Sequence, residues 1–289
     1  MPASHIVDRP AELLAYLYAS HSEVKRSQVR QWLQLGLVHV NDRSITRFNH
    51  ALQAGDAVSI RAKKEALAGA LLPPAIKALF EDAALIVIEK PEGLLSMASA
   101  SERRKTAYAM LTDYVRRGNP RSPERVWIVH RLDREASGLM VFAKTEVAKQ
   151  ALQSRWHEAD KRYLAVVEGC PPADQGVWTS HLDESSSFKV FSAPPSERTR
   201  RATTIYRVLK RNATRTLIEL KLETGRRHQI RVHLADAKCP IIGDRKYGDG
   251  TDPARRLGLH ASSLQFQHPS SGELLRWESP LPRSLAGLV

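Results

Sequence analysis

"VHRLDREASGLMVFAKT", residues 129–145, decides how this chain is read. It places Asp133 between Arg131 and Arg134, close to His130, ahead of a small-residue segment and an apolar run. The pattern over residues 126–132 predicts a strand whose register puts Arg131 and Asp133 on one side and Leu132 on the other. Ala136, Ser137 and Gly138 predict a tight turn, and residues 139–143 (LMVFA) predict a second, largely buried strand. Asp133 is thus expected on a loop pinned by two core strands. Catalytic groups are often carried on such loops; an Arg–Asp pair that only closes a turn is the competing reading.

Working outward, the whole chain has 289 residues, 42% of them hydrophobic, enough for one large domain plus a small one. Its 44 Lys and Arg against 31 Asp and Glu leave a net charge of +13. That balance favours a polyanionic partner, of which nucleic acid is the commonest. Cys170 and Cys239 have neither metal-site spacing nor the number for a disulfide framework. A reducing compartment and two buried, apolar-type cysteines are expected. No apolar run approaches the ~20 residues that span a bilayer, and no leader-like segment opens the chain. A soluble, cytoplasmic monomer without membrane contact is expected.

Several chemistries find no motif here: no phosphate-cradling Gly-Lys-Ser/Thr loop, no complete dinucleotide glycine pattern, no His-Glu-x-x-His and no Gly-x-Ser-x-Gly. No cofactor and no metal are expected. His228 and His233, five apart on an expected helix, face different ways and make a poor metal pair.

Residues 9–62 read as one unit. Leu13, Leu14, Leu17 and Tyr18 fall at helical spacing, as do Val29, Trp32 and Leu33, and the second helix presents Lys25, Arg26 and Arg30 before stopping at Gly36. "LVHVND" (37–42) predicts a strand into an Asn-Asp turn, and "LQAGDAVSI" (52–60) a Gly-Asp turn into another strand. This arrangement resembles the αL RNA-binding module of a ribosomal small-subunit protein, which implies RNA contact through Lys25, Arg26 and Arg30. A plain packing domain is the alternative. Residues 63–75 read as a linker, and residues 76–289 as a second domain.

In that second domain the strands expected are 85–89, 126–132, 139–143, 163–168, 203–209, 216–223 and 258–267, and the helices 106–117, 146–159 and 227–237. Without a regular strand–helix rhythm, this is an α+β domain with a mixed, mostly antiparallel sheet. Residues 180–201 read as a mobile loop or irregular hairpin. A second basic cluster, "TGRRHQIRVHLA" (224–235), follows the alternating "RTLIELKLE". Its helix N-terminus suits an anion, and Arg227 and Arg231, four apart, would share a face.

"LIVIEKPEGLLS", "HRLDREASGLMVFAKT", "KRYLAVVEG", "TTIYRVL", "TGRRHQIRVHLA", "PIIGDRKYG" and "LGLHASSL" resemble, in that order, the successive motifs of RluA-type pseudouridine synthases. The resemblance covers nearly all of residues 80–282. Ala136 departs from it where the family usually has Thr, and Cys239 where it has a small or polar residue. The implied reaction isomerises uridine in RNA, detaching the base, rotating it and rejoining it through carbon 5, without a cofactor. By resemblance Asp133 is the essential carboxylate, as nucleophile or base toward the sugar. Tyr163 stacks on the target base and serves in proton transfer. Arg231 pairs with Asp133, which offsets the desolvation of the carboxylate. Substrate contacts are implied for Arg131, filling the gap left by a flipped base, for Arg226, Arg227, His228 and Gln229, and for Leu259 in the apolar wall. Ribosomal RNA, 23S foremost, is the expected partner, with transfer RNA as the other candidate. A ribosome-assembly protein without turnover is the competing class. A hydrolase with two opposed carboxylates is a third, ranked far lower.

Overall fold

The computed structural model describes residues 4–34, 37–41, 43–45, 47–60, 72, 76–99, 101–116, 119, 122–186 and 188–289. Apart from Leu72, the expected linker over 63–75 lies outside the described residues, as do Gly36, Asp42 and the expected helix end at Arg117. Contacts divide the chain into residues 1–73 with 113–123, and residues 74–112 with 124–289.

The smaller unit holds β1 (Ser4–Ile6), β2 (Ala11–Glu12), α1 (Leu13–Ser20), α2 (Arg26–Gln34), β3 (Val38–Val40), β4 (Arg43–Ser44), β5 (Ala51–Leu52) and β6 (Ala57–Ile60). Its four-stranded sheet runs β1-β6-β3-β4. Leu13, Leu17, Val29 and Leu33, at helical spacing, bury against Val38, Val40 and Val58. The turn residues fasten to each other: the Asn41 amide donates to Asp56 (2.8 Å), and the Ala57 N–H donates back to Asn41 Oδ1 (2.9 Å).

The larger unit begins with β7 (Lys77–Glu81), β8 (Leu85–Lys90) and α3 (Ala107–Val115), whose residues through Thr112 belong to it. Next come β9 (Trp127–Ile128), β10 (Ser137–Ala143), α4 (Glu146–Ser154), β11 (Asp160–Glu168), β12 (Gln175–Asp183), β13 (Phe191–Ala193), β14 (Thr199–Arg211) and β15 (Arg215–Leu222). α5 (Gln229–Asp236), β16 (Leu259–Gln267), β17 (Leu274–Glu278) and α6 (Arg283–Ala286) complete it. The strands form one sheet in the order β13-β12-β14-β15-β11-β16-β10-β8-β7, with β9 on β10 and β17 on β16. Every pairing is antiparallel except β10 with β16. The fold is α+β with a mixed, mostly antiparallel sheet. Ile230 and Leu234 of α5 pack on Ala165, Val167, Ile218 and Leu220, while Ala148 and Leu152 of α4 pack with Val87, Leu139 and Val141.

Two of these expectations change, and a third resolves between its alternatives. The strand over 126–132 shrinks to Trp127–Ile128, because the polar backbone beyond it bonds to side chains instead of a neighbouring strand. The turn falls earlier, over residues 133–136, closed by the Ala136 N–H on the Asp133 carbonyl (3.2 Å), so Ser137 and Gly138 already belong to β10. Residues 180–201 carry the end of β12, all of β13 and the start of β14, an irregular hairpin paired into the sheet. Of the cysteines, Cys239 is buried but Cys170 is exposed.

Gly138 is where β10 meets β16 in parallel. Its φ is +116°, and an added Cβ would lie 2.2 Å from the Ala261 carbonyl oxygen. Gly138→Ala combines a disallowed backbone with a backbone clash and is expected to lower unfolding stability by about 3 kcal/mol. Chemical denaturation checks this; a loss below ~1 kcal/mol would mean the two strands separate easily.

Candidate active site

The loop between β9 and β10 carries Asp133, and its neighbours hold it from all sides. His130 is turned inward, stacked on Trp156 at 4.6 Å, and its Nε2 accepts the Val141 N–H (3.1 Å). Burial, with nearby Lys161, pushes the His130 pKa down to about 3, so the ring is neutral. Leu132 is clamped by Ser96, whose hydroxyl donates to the Leu132 carbonyl (2.7 Å) and accepts its N–H (3.0 Å). Lys90, fully buried at the end of β8, donates to the carbonyls of Pro91 (2.8 Å), Leu94 (2.8 Å) and Ala136 (2.7 Å). Burial pulls its pKa down to about 7, against the pull of Asp133 and Glu135, while the carbonyl cradle suits an ammonium with three donors. These backbone bonds hold the turn that carries Asp133.

Asp133 faces a cavity of about 670 Å³ lined by loop residues 129–133, by Trp156, Lys161 and Tyr163, by residues 222–231 and by Leu259. Arg231, on α5, reaches Asp133 Oδ2 with Nη1 at 3.2 Å. The same guanidinium forks onto Asp244, with Nε to Oδ2 at 2.8 Å and Nη2 to Oδ1 at 2.7 Å. Asp244 also accepts the N–H groups of Lys246 and Tyr247, both at 3.0 Å. Burial works to raise the Asp244 pKa, but the guanidinium and these N–H groups prevail, leaving it below the ordinary value. The Arg231 pKa is raised despite burial, by Asp244 and Asp133. Asp133 and Asp244 thus hydrogen-bond one buried arginine, with the more exposed Glu135 3.7 Å from the same Nη1, and Asp133 opens to the cavity.

Tyr163, on β11, sits where the pairing with β16 slips register between Arg162 and Tyr163. Burial, then the charge of Asp133, raises its phenol pKa, so it holds its proton. Leu259 is buried at the cavity wall. Arg131 is exposed at the cavity rim.

The basic cluster is arranged differently from its sequence expectation. α5 starts at Gln229, and His228 before it has a left-handed φ of +54°, so Arg227 is outside the helix and shares no face with Arg231. A non-glycine residue at such a φ costs ~1–3 kcal/mol and persists where surrounding structure demands it. Here it turns the imidazole into the cavity, with Nε2 3.9 Å from Asp133 Oδ1. Burial outweighs the attraction of Asp133 and holds the His228 pKa below its ordinary value. The Arg227 guanidinium donates to the carbonyls of Glu184 (3.2 Å) and Ser186, and its N–H donates to Glu184 Oε1 (2.5 Å). Arg226 is exposed and donates to the Arg201 carbonyl (3.1 Å). Gln229 is buried with both amide ends engaged: Oε1 accepts from Thr224 (2.8 Å) and Arg226 N–H (3.0 Å), and Nε2 donates to Thr203 (3.0 Å) and Thr204 (2.9 Å). That leaves its amide fully used within the protein.

Lys90, Ser96, Asp244 and Tyr247 carry parts of this site that the residue-by-residue reading did not assign. The signal was present in "KPEGLLS" and "GDRKYG", but their partners are remote in sequence. In the smaller unit Lys25, Arg26 and Arg30 are exposed; Arg26 lies 5.2 Å over the Tyr18 ring, and Arg30 donates to the Tyr18 hydroxyl (2.9 Å). Among the described residues no group of three or more His, Cys, Asp or Glu could hold a metal ion, and no helix is long and apolar enough to cross a membrane.

Two further buried histidines add, with His130, to a pH dependence. His233 bonds Ser180 (3.0 Å) and Thr204 (2.9 Å), and His260 bonds Ser137 (2.8 Å) and Ser279 (2.9 Å). Burial takes both pKa values from 6.5 to about 4. Between these values the unfolded chain binds protons that the folded one refuses, so stability is full above pH 6.5 and falls toward pH 4. The expected loss is about 2 kcal/mol per ring at pH 5, read as a falling Tm; a flat Tm from pH 7 to 5 would contradict it.

Comparison with known proteins gives this geometry its context. The family model described as RNA pseudouridylate synthase matches residues 84–236, which include the Asp133 loop and Arg231. An uncharacterized RNA pseudouridine synthase of Bacillus subtilis is 32% identical over 279 residues, covering 95% of this chain and 91% of the relative. Ribosomal large subunit pseudouridine synthase D of Neisseria meningitidis serogroup B is 34% identical over 303 residues (96% and 76%), and that of Yersinia pestis 31% over 310 (99% and 91%). The solved structure of Human RNA Pseudouridylate Synthase Domain Containing 4 superposes with a TM-score of 0.62 at 27% identity, covering 76% of this chain and 93% of its own. Spanning most of these relatives and carrying the matched loop and helix that frame the cavity, the chain belongs to the RNA pseudouridylate synthase family and is an RNA pseudouridine synthase, an isomerase.

Proposed function

We propose that the enzyme isomerises uridine in the RNA of the large ribosomal subunit, with Asp133 acting on the ribose of a flipped-out nucleotide. The observation that carries this reading is the Arg231 guanidinium, forked onto buried Asp244 and holding Asp133 at 3.2 Å on the wall of the cavity. A carboxylate fixed in that way is poised for nucleophilic attack or for removal of a sugar proton. The names of the relatives in Neisseria meningitidis and Yersinia pestis support ribosomal RNA as substrate.

A stacked uridine cannot reach Asp133, so the base leaves its stack at a cost of a few kcal/mol. Tyr163 stacking on the uracil would return ~1–3 kcal/mol, with Leu259 closing the apolar wall. Arg131, exposed at the rim, fills the vacated position, and Arg226 meets a phosphate. Arg227, whose backbone N–H and Nη2 bond within the protein, and Gln229, whose amide is fully engaged, act by positioning the strand–helix junction. The smaller unit serves as an αL-type RNA-binding domain over residues 9–62, with Lys25, Arg26 and Arg30 of α2 and its approach facing the phosphate backbone. An RNA-binding assembly protein without turnover is not favoured: it leaves the charged Asp133–Arg231–Asp244 arrangement without a use.

Tyr163→Phe separates the stacking face from the hydroxyl. RNA affinity is expected to stay within about threefold while turnover falls roughly 10²-fold; unchanged turnover would remove the hydroxyl from the proton transfers. For the reading as a whole, carbon-linked uridines are mapped in ribosomal and transfer RNA from a deletion strain and a complemented one. Loss of one or more sites from large-subunit RNA is expected; loss confined to transfer RNA would overturn the ribosomal assignment.

A further inference from the structure

Tyr247 lies between two groups with fixed demands. The Val190 N–H donates to its oxygen (2.8 Å), and the same oxygen lies 2.8 Å from His228 Nδ1. Among the described residues those are its two hydrogen-bond partners. The Val190 N–H can only donate, so the phenolic proton is left to point at Nδ1. A neutral imidazole that accepts at Nδ1 carries its own proton on Nε2. That Nε2–H is 3.9 Å from Asp133 Oδ1, too far for a direct hydrogen bond. One oxygen about 2.9 Å from each atom closes the triangle.

We propose that His228 Nε2–H and Asp133 Oδ1 form a paired subsite for one hydroxyl, the 2′-hydroxyl of the target ribose. The inference deepens the functional reading above and rests on it. The pair needs an oxygen that accepts from nitrogen and donates to a carboxylate. Uracil carbonyl oxygens accept only, the uracil N3–H donates only, and a phosphate oxygen would meet the charge of Asp133. In an internal nucleotide the 3′ and 5′ oxygens are esterified, so the 2′-hydroxyl is the remaining ribose hydroxyl. Tyr247 is a positioning residue here: it acts through the proton it gives His228. The left-handed backbone at His228 has its use in this arrangement, since it aims the ring at Asp133.

The test has two arms. In the free protein, nitrogen-15 NMR of labelled histidine is expected to show His228 protonated on Nε2 alone, and Tyr247→Phe is expected to lose that preference. In the second arm, Kd is read from the rapid binding phase, before turnover, for an RNA substrate and for the same RNA with 2′-deoxyuridine at the modified position. The wild type is expected to bind the deoxy form roughly 10-fold more weakly, and His228→Asn and Tyr247→Phe to show a preference of threefold or less. A proton on Nδ1 in the wild type, or a full 2′-hydroxyl preference retained by both variants, would overturn the subsite. An enzyme that isomerises uridine but is indifferent to the 2′-hydroxyl would overturn this inference alone; a wild type that isomerises no RNA would overturn the functional reading with it.

Discussion

Asp133→Asn is expected to leave RNA affinity within a few-fold of wild type and to reduce pseudouridine formation by roughly 10⁴-fold or more. The side chain keeps its shape and loses its charge, so whichever role the carboxylate has toward the sugar is gone. Stability is expected to change by less than about 1 kcal/mol, because Arg231 retains its two-point pairing with Asp244 and still has Glu135 3.7 Å from Nη1. Nucleoside analysis of treated RNA, with binding and unfolding measured on the same preparation, separates these effects. A variant that is inactive because it is unfolded would leave the assignment of Asp133 unsupported.

Asp244→Ala is expected to have the largest effect on stability. It leaves the buried Arg231 without its two-point partner and orphans the N–H groups of Lys246 and Tyr247. Removing one member of a buried, hydrogen-bonded ion pair costs about 3–5 kcal/mol, which in a domain of this size lowers Tm by roughly 10 °C. Activity is expected to fall at least ~10²-fold even at a temperature where the variant is folded, since Arg231 no longer holds Asp133 in place. Asp244→Asn keeps an acceptor for the two N–H groups and should recover part of the stability but little of the activity. A loss below ~1 kcal/mol for Asp244→Ala would mean that the cluster is not the strut described here.

The central strands were legible where the side-chain period was regular. β15 alternates along its whole length and β10 is continuously buried, with an unbroken apolar run over 139–143, and both fall where the sequence puts them to within two residues. β12 and β17 were missed because their inner faces are only partly buried, so polar residues sit on both sides and the period fades. Residues 126–132 misled in the other direction: the apolar pattern is genuine, but His130 and Leu132 bury as loop residues that bond to β10 and Ser96, with no paired strand. The pairing of Arg227 with Arg231 failed because a single left-handed residue, His228, delays the helix by two positions. Asp133, Tyr163 and Arg231 were legible as motif residues, and the fold brings them to one cavity. Asp244 and Tyr247 were not, since nothing in local sequence says which cation or imidazole they meet; only the sheet order and the return of the chain after α5 decide that.

The most direct measurement is tritium release from ribosomal RNA labelled at carbon 5 of uridine, with the wild type and Asp133→Asn run side by side. Rejoining the base through carbon 5 displaces that hydrogen, so the account predicts release in proportion to the sites modified by the wild type and none above background by the variant. Release by both proteins alike would contradict the placement of the chemistry at Asp133, and no release by the wild type from ribosomal RNA would contradict the proposed substrate.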